Sequence, residues 1–316
     1  MSKVSIIIPV YNRAHLIKRS LSSVFRQTYR GDIEIIVVND GSLDETSSAV
    51  HAFVEGNKAE NRTIQLLEQK NGGPSCARNN GLKHANGDYI SYLDSDDEYS
   101  ENKIETDINI FKSVPMCDVV ISRWCIIKTT GLKSEYEYTD DGRHVYRFLC
   151  ESGWPVGAAT YKRSVVSEVG QWNECLNQYE DWDYHIRLGI KSQNVSINPD
   201  ASLFIHDHDC GRMSQKLRIS SDYTSYVASI MPLYHAFDSL SRDQLLRNVY
   251  KATIWNYRQF DSAANEELYS VSSKYLDKYR MLKYEVFRRV LISVGPSRVI
   301  KLWDVAMRIM RDNNFN

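Results

Sequence analysis

The first hundred residues alternate between short apolar segments and longer segments in which apolar residues recur at helical spacing. Four of the short segments predict β-strands, and the first two are apolar enough to be covered on both faces. These segments are VSIIIPV (Val4–Val10), IEIIVVND (Ile33–Asp40), TIQLLEQ (63–69) and DYISYLD (88–94).

The segments between the strands predict helices. RAHLIKRSLSSVFRQ (13–27) carries apolar residues along one helical face. LDETSSAVHAFVEG (43–56) predicts a helix with acidic residues in its first turn. NGGPSCARNNGLKHANG (71–87) predicts a short helix that starts near Pro74. The alternation of β and α predicts an α/β fold with a mainly parallel sheet and helices on both faces.

The pattern changes in the second half of the chain. Residues 117–215 are mixed and include the predicted strands DVVISRWCII (118–127) and NVSINP (194–199). Residues 216–316 carry a mostly helical pattern. The sequence therefore predicts an α/β unit over 1–215 and a helical C-terminal region over 216–316.

Polar residues follow three of the predicted strands. Tyr11 and Asn12 follow the first strand, NDGS (39–42) ends the second, and Asp94–Asp97 ends the fourth. Ligands of such sheets bind beyond the carboxyl ends of the strands, so we expect these residues to line one cleft. The first strand is not followed by GxGxxG, which argues against an ordinary dinucleotide-binding fold.

Asp94, Asp96 and Asp97 place three carboxylates within four positions. Carboxylates this close repel one another unless they are solvated or share a cation. At the carboxyl edge of a sheet they suit Mg²⁺ or Mn²⁺ bound together with the phosphates of a substrate. The alternative is a solvated turn in which Asp97 or Ser100 caps the next helix.

Five motifs occur in order along the chain: IIIPVYNR, IIVVNDGSLDET, NGGPSCARNNGL, YISYLDSDD and QYEDWDYHIRL. Together they resemble the signature of family 2 glycosyltransferases with a GT-A fold, over roughly residues 3–210. The resemblance implies transfer of a sugar from a UDP-sugar to an acceptor hydroxyl, usually with inversion, in bacterial surface polysaccharide synthesis. It also implies a nucleotide-binding half over 1–115 and an acceptor half over 116–215.

The same resemblance implies a donor site. Asp40 would accept the N3–H of uracil, and the alternative for this residue is an Asx-turn within NDGS. Arg78 would lie near the nucleotide, and its alternative is a surface ion pair. The nucleotide-binding residues predicted in this way are Pro9, Val10, Tyr11, Asp40, Arg78, Asp94 and Ser95.

A metal site follows from the resemblance as well. It makes Asp96 the direct ligand of Mn²⁺ or Mg²⁺, beside the donor sugar, and places Asp94 at the ribose or at metal-bound water. His206 and His208 are alternatives for a histidine that completes the metal site or contacts the diphosphate. The cation would neutralise charge on the leaving diphosphate.

Glu180 and Asp181 match the acidic motif that the family uses in catalysis, with Asp181 as the general base for the acceptor hydroxyl. The alternative is that Glu180, Asp181 and Asp183 form the acidic first turn of a helix. For Trp154, two interpretations stay open at this stage: stacking on a donor or acceptor sugar, and packing in the core.

The composition of the chain limits the kinds of partner and the compartment that we expect. A net charge of -1 does not indicate a nucleic-acid partner, and six scattered cysteines without a CxxC pair predict reduced thiols. No apolar run reaches the roughly 18 residues of a membrane span, so we expect a cytoplasmic protein. The tail 278–316 is apolar and basic. It predicts either packing on the catalytic domain or a twin subunit of a homodimer, or an interfacial helix at the inner face of the membrane.

Two other functions stay open. A nucleotidyltransferase builds a nucleotide site on a related sheet but releases pyrophosphate instead of a nucleoside diphosphate. An inactive scaffold would bind a nucleotide sugar without transferring it. If the chain is a transferase, a carbohydrate and a lipid-linked oligosaccharide are both compatible acceptors.

Overall fold

The computed structural model describes residues 1–131, 133–136, 154–192, 194–207 and 220–236, and farther on 242, 245–246, 249, 253, 262–278, 280–281, 284–285 and 287–289. The chain divides into two compact units, Met1–Arg212 and Met213–Asn316. The functional division of the first unit near residue 115 stays a prediction.

Within the described residues, nine strands of the first unit form one sheet. The first four predicted strands are present, and so are those predicted over 118–127 and 194–199. The strands are β1 (Val4–Val10), β2 (Ile33–Asn39), β3 (Arg62–Glu68), β4 (Tyr89–Tyr92), β5 (Asp97–Tyr99), β6 (Val119–Ile127), β7 (Lys133–Tyr136), β8 (Ala159–Lys162) and β9 (Val195–His206).

The sheet joins a parallel half to a mixed half. Its strand order is β3-β2-β1-β4-β8-β6-β9-β5, and β7 pairs with β6. Strands β3, β2, β1 and β4 are parallel, which confirms the predicted sheet for this half. β8 runs antiparallel to both β4 and β6, and β9 runs parallel to β6. The short β5 then pairs antiparallel with β9, far along the sheet from β4, which it follows in sequence.

Helices connect and cover these strands. In the first unit they are α1 (Ile17–Phe25), α2 (Thr46–Gly56), α3 (Pro74–His84), α4 (Lys103–Ser113), α5 (Arg163–Val169) and α6 (Glu180–Lys191). α3 begins at Pro74 as predicted, and its Gly81 lies so close to β1 that a Cβ there would come within 2.5 Å of Ile7. The acidic first turn predicted for α2 is wrong. Asp44 precedes the helix, which begins at Thr46. Its carboxylate accepts the N–H of Thr46 and so stabilises the helix start from outside the helix.

A buried polar network ties the second half of the sheet together. Lys103 and Asp107, one turn apart on α4, are fully buried with Nζ and Oδ2 2.7 Å apart. The Asp107 carboxylate also accepts hydrogen bonds from Ser122 on β6, Thr160 on β8 and Asn198 on β9. The buried charges are therefore compensated, and one carboxylate links three strands to α4.

The second unit is helical over its described residues. α7 spans Ser220–Ile230, a 3₁₀ helix follows at Met231–Ala236, and α8 spans Ser262–Tyr275. In the described part of the chain, no helix combines the length and the apolar character needed to cross a bilayer. The predicted membrane and subunit contacts depend on the tail 278–316, of which residues 290–316 lie outside the described residues.

We expect Asp107→Ala to destabilise the first unit strongly, because it leaves the buried ammonium of Lys103 without its carboxylate. The loss should be about 3–5 kcal/mol in urea unfolding. Glu101→Ala is the matched control, since it removes an exposed partner of Arg26 and should cost no more than about 1 kcal/mol. Equal losses in the two variants would contradict the role given to the network.

Candidate active site

Three loops meet at the carboxyl edge of the parallel strands. β2, β1 and β4 lie side by side in parallel register. The loops that follow them carry Asp40, Tyr11 and Asp94 respectively. Because parallel strands end at the same edge, the fold brings these predicted site residues to one side of the sheet.

The end of β1 and the loop after it expose one of the three predicted nucleotide-pocket residues. Val10 is buried and Pro9 is partly buried, whereas the side chain of Tyr11 is exposed. Asn12 follows with φ 51°, in the left-handed region that few non-glycine residues adopt. Its side-chain oxygen accepts the N–H of Leu43, which ties this loop to the loop after β2. The contribution of Pro9 and Val10 to a pocket would therefore come mainly through their backbone.

Asp40 is only 3% exposed and organises the loop before α3. Its Oδ1 accepts hydrogen bonds from Gln69 Nε2 and the Gly72 N–H, and its Oδ2 accepts the Gly73 N–H, each at 2.8 Å. Gly73 has φ 87°, a conformation that favours glycine. A carboxylate offers about four lone-pair positions, so these three bonds leave room for one further donor.

Within NDGS, Asn39 and not Asp40 makes the side-chain hydrogen bond to the backbone of the turn. Asn39 Oδ1 accepts the Ser42 N–H at 3.0 Å, and Asn39 Nδ2 donates to Ser47. Asp40 is thus left to hold the Gly72–Gly73 loop. Its role in base recognition stays a prediction.

The aspartate turn after β4 is held by α1. The Asp97 N–H donates to the Asp94 carbonyl at 3.1 Å, and Ser20 Oγ donates to the Asp97 carbonyl at 2.8 Å. The guanidinium of Arg19 donates to the Asp96 carbonyl. Sequence reasoning missed Arg19 and Ser20. The available signal was Ser20 itself, a polar residue on the buried face of α1.

The side chains of the turn point to different environments. The carboxylate of Asp94 is 42% exposed, whereas Ser95 and Asp97 are buried and Asp96 is partly buried. Because the side chain of Ser95 is buried, the contact with the nucleotide predicted for this residue would be made by its backbone. Asp94 and Asp96 are the carboxylates of this turn that can serve an external ligand.

Arg78 joins the two acidic motifs. It is 4% exposed, and its guanidinium binds Asp94 Oδ1 at 3.0 Å and Glu180 Oε1 at 3.1 Å. The guanidinium carbon also lies 4.6 Å from the ring centroid of Trp172. Burial lowers the pKa of Arg78, but the two carboxylates outweigh burial and raise it above its usual value. Arg78 was predicted near the nucleotide. The structure directs its guanidinium at carboxylates from both acidic motifs, and one of these, Asp94, is itself a predicted nucleotide-binding residue.

Glu180 and Asp181 open helix α6, which follows Tyr179 in a left-handed conformation with φ 64°. Glu180 is buried against Arg78, and Asp181 is partly buried and accepts the N–H of Trp182. Burial and the carboxylate of Glu180 raise the pKa of Asp181 to about 7, although Arg78 acts in the opposite direction. The acidic first turn that the sequence offered as an alternative is therefore present, and it contains a carboxyl group that titrates near neutral pH.

The predicted metal ligands are only partly described. Asp97 pairs with Ile205 across β5 and β9, and Asp96 and His206 are the residues next to this pair in sequence. His206 Nε2 is 2.6 Å from Glu98 Oε2, which engages that nitrogen. His208 lies outside the described residues. Among the described residues, no group of three or more His, Cys, Asp or Glu side chains is arranged to hold a metal.

The donor set of the turn nevertheless fits a hard divalent cation. Mg²⁺ is usually bound through one or two protein carboxylates, with substrate phosphates and water as further ligands. Asp94 and Asp96 supply two carboxylates on one turn, and Asp94 is open to solvent. A preassembled cage of three protein ligands is not required for such a site.

The sugar-stacking prediction for Trp154 is wrong. The indole is 1% exposed and lies 4.8 Å from the ring of His185. A ring buried to this degree has no face to offer a sugar, so the alternative, core packing, is right. The neighbouring Trp172 is also buried and stacks on Tyr184 with ring centroids 4.0 Å apart.

An α/β sheet that gathers polar loops and carboxylates at its carboxyl edge belongs to the class of folds in which ligands bind at that edge. Residues 5–163, roughly half of the chain, match the model of Glycosyl transferase family 2. The chain therefore belongs to glycosyltransferase family 2, whose members transfer sugars from nucleotide donors.

Bacterial relatives agree with this assignment. A protein of Rickettsia typhi, named an uncharacterized glycosyltransferase, is 32% identical over 229 residues, covering 70% of this chain and 69% of the relative. A similarly named protein of Rickettsia prowazekii is 37% identical over 189 residues, covering 57% of this chain. The match spans 56% of the Rickettsia prowazekii protein and 31% of a third relative, from Rickettsia conorii.

Two solved structures show the same fold. Staphylococcus aureus TarS 1-349 in complex with UDP-GlcNAc has a TM-score of 0.64 at 18% identity, covering 86% of this chain and 80% of that one. The mannosyltransferase PcManGT from Pyrobaculum calidifontis, in complex with GDP-Man and Mn²⁺, has a TM-score of 0.56 at 20% identity. That match covers 96% of this chain and 88% of PcManGT. The predicted GT-A fold is confirmed.

We expect Asp181→Asn to raise the thermal stability of the protein at pH 8. The pKa of Asp181 rises from an ordinary 3.8 to about 7 in the folded state, so the folded protein holds this proton more tightly than the unfolded chain. Stability is therefore lost as the pH rises from about 4 to about 7. The gain in Tm on substitution should be near zero at pH 4 and reach a few degrees at pH 8 in thermal unfolding scans.

Asp183→Asn is the matched control on the same helical turn. The Asp183 carboxylate accepts hydrogen bonds from Arg187 Nε and Nη2 at 2.9 and 2.7 Å, so its loss should lower Tm at pH 8. A decrease of Tm in both variants would show that Asp181 is not held in an unfavourable ionised state.

Proposed function

We propose that this chain is an inverting, metal-dependent glycosyltransferase that uses a UDP-sugar. The observation that carries the proposal is the partly buried carboxyl group of Asp181, whose pKa is raised to about 7. Through the neighbouring Glu180 and Arg78 it is connected to Asp94 at the carboxyl edge of the sheet. A general base works best when its pKa lies near the operating pH.

Asp181 would remove the proton of the acceptor hydroxyl while the oxygen forms its bond to the anomeric carbon. A sugar hydroxyl has a pKa far above 7, so a positioned base contributes about 10²–10⁴-fold to the rate. The nucleoside diphosphate leaves from the opposite face of the sugar, and a single displacement of this kind inverts the anomeric centre. Burial of the base keeps water from competing for its lone pairs.

Tyr11 and Asp40 would form the nucleotide side of the site. Tyr11 is exposed at the carboxyl edge and can stack on a base, and Asp40 has room for one further donor such as the uracil N3–H. The fold is shared with TarS, which binds UDP-GlcNAc, and this likeness supports a UDP-sugar as the donor.

Asp94 and Asp96 would hold Mg²⁺ or Mn²⁺ together with the donor diphosphate. When bound, the cation supplies Lewis-acid stabilisation of the leaving diphosphate. PcManGT, which shares the fold, binds Mn²⁺ with GDP-Man and supports this assignment. The roles of His206 and His208 at the metal stay predictions.

The acceptor that we propose is a carbohydrate or a lipid-linked oligosaccharide in bacterial surface polysaccharide synthesis. The relatives named as glycosyltransferases come from bacteria, which supports this setting. The apolar and basic tail 278–316 would hold the enzyme at the inner face of the cytoplasmic membrane, where a lipid-linked acceptor lies.

We expect UDP to bind in calorimetry when Mn²⁺ is present and to bind much more weakly in EDTA, because the diphosphate shares the cation with Asp94 and Asp96. GDP is the comparison ligand. Asp96→Asn should reduce the dependence of UDP binding on the metal, whereas Asp200→Asn, on β9, should leave it unchanged. Tighter binding of GDP than of UDP would overturn the assignment of Asp40 to uracil.

We expect Asp181→Asn to retain UDP binding and to lose about 10²–10⁴-fold in sugar transfer, because the base is removed while the nucleotide site is kept. Wild-type transfer should fall as the pH drops below about 7, since the base must be ionised. The measurement is the release of nucleoside diphosphate against pH, after a screen of UDP-sugars. Full transfer by the variant, or release of pyrophosphate by the wild type, would contradict the mechanism.

A further inference from the structure

We infer that Arg78 is a positioning residue that holds the aspartate turn and the start of helix α6 at a fixed separation, so that the donor side and the base side form one unit. The Arg78 bridge is defined here as the guanidinium of Arg78 with the carboxylates of Asp94 and Glu180. The inference rests on the proposed function for its consequence in catalysis, and on the geometry alone for its structural part.

The bridge joins segments that are distant in sequence. Arg78 lies on α3, Asp94 follows β4, and Glu180 is the first residue of α6, 102 positions away from Arg78. The two nitrogens Nη1 and Nη2 each bind a different carboxylate, at 3.1 and 3.0 Å. The rigid, planar guanidinium therefore sets the distance between its two partners, which a flexible ammonium would not do.

The orientation of the guanidinium is fixed from a third side. Its carbon lies 4.6 Å from the ring centroid of Trp172, and Trp172 in turn stacks on Tyr184 of α6. With 4% of Arg78 exposed, the side chain has little freedom to leave this position. A residue so enclosed acts through the carboxylates that it holds.

The positive charge of Arg78 has a second effect, which acts on the carboxylates around it. The charged and titratable groups that act on Asp181 are Glu180 on its own helix, Arg78 on α3 and Asp94 after β4, and Tyr161 on β8 is a titratable neighbour. Arg78 provides the cation that offsets this group of carboxylates. Without it, Glu180 would be a buried carboxylate next to Asp181 with no guanidinium to pair with.

The first experiment is a stability cycle that needs no substrate. Glu180→Gln is measured by urea unfolding at pH 8 in two backgrounds, wild type and Arg78→Met. In the wild type the substitution should lower the urea midpoint, because it breaks a buried ion pair. In the Arg78→Met background it should raise the midpoint, because it removes an uncompensated buried carboxylate. The same shift in both backgrounds would overturn the inference.

Arg78→Lys provides a second variant that retains the charge if Arg78→Met does not fold. One ammonium cannot reproduce the two directed hydrogen bonds of the guanidinium, so Glu180→Gln should lower the midpoint less in this background than in the wild type. If Glu180→Gln lowered the midpoint as much as in the wild type, the positive charge alone, and not the two directed hydrogen bonds of the guanidinium, would hold the two motifs.

The consequence for catalysis is tested by measuring UDP affinity and turnover separately. Arg78→Lys should keep UDP affinity within about threefold, because an ammonium can still pair with Asp94 on the donor side, and should lower turnover by about 10²-fold, because Glu180 and the base beside it are no longer held. A residue that binds the nucleotide directly would show the reverse, a large loss of UDP affinity. Such a result would overturn the positioning role.

Arg62→Lys is the matched control. Arg62 is also a buried arginine, but its guanidinium donates to the backbone carbonyls of Gln27, Tyr29, Gly31 and Asn61, away from both acidic motifs. The Arg62→Lys variant should lose stability without the loss of turnover expected for Arg78→Lys. If no UDP-sugar is turned over by the wild type, the proposed function fails, while the stability cycle still decides the role of Arg78.

Discussion

Carboxylates from two motifs converge at one edge of this sheet, and their mutual repulsion is the constraint that the site has to satisfy. Asp94 and Glu180 come from two separate segments and both pair with the buried guanidinium of Arg78, which also acts on the nearby carboxyl group of Asp181. The guanidinium is well suited to this position because it can bind two carboxylates in different directions while its face rests on Trp172. The remaining architecture serves to bring these groups together.

The sheet accomplishes this through its change of strand direction. The parallel half places the loops after β1, β2 and β4 at one edge, and the antiparallel β8 begins the mixed half beside β4. The network of Lys103 and Asp107 links that mixed half to α4. On the other side of the turn, Arg19 and Ser20 of α1 hold the backbone of the aspartates. Helix α1 therefore fixes the backbone of the aspartate turn, and helix α4 fixes the mixed half of the sheet.

The sequence predicted the elements that depend on local pattern and missed those that depend on distant partners. The buried strands, the start of α3 at Pro74 and the position of the aspartate turn follow from periodicity and from residues within a few positions. The partners of Arg78 and Asp40 lie as many as 102 and 33 positions away, and no local signal identifies them. Trp154 shows the same limit, since its burial depends on residues such as His185 that meet it only in the folded chain.

The first turn of α6 shows why one of three acidic residues is suited to act as a base. A helix N-terminus favours negative charge, and Glu180 and Asp183 gain further from Arg78 and Arg187. Asp181 accepts the N–H of Trp182, and among the described residues it has no cation within ion-pair distance. Burial and Glu180 therefore raise its pKa to about 7 despite the helix terminus. The same arrangement that makes Asp181 costly to ionise gives it a pKa near neutral pH, whereas Glu180 and Asp183 each pair with a guanidinium.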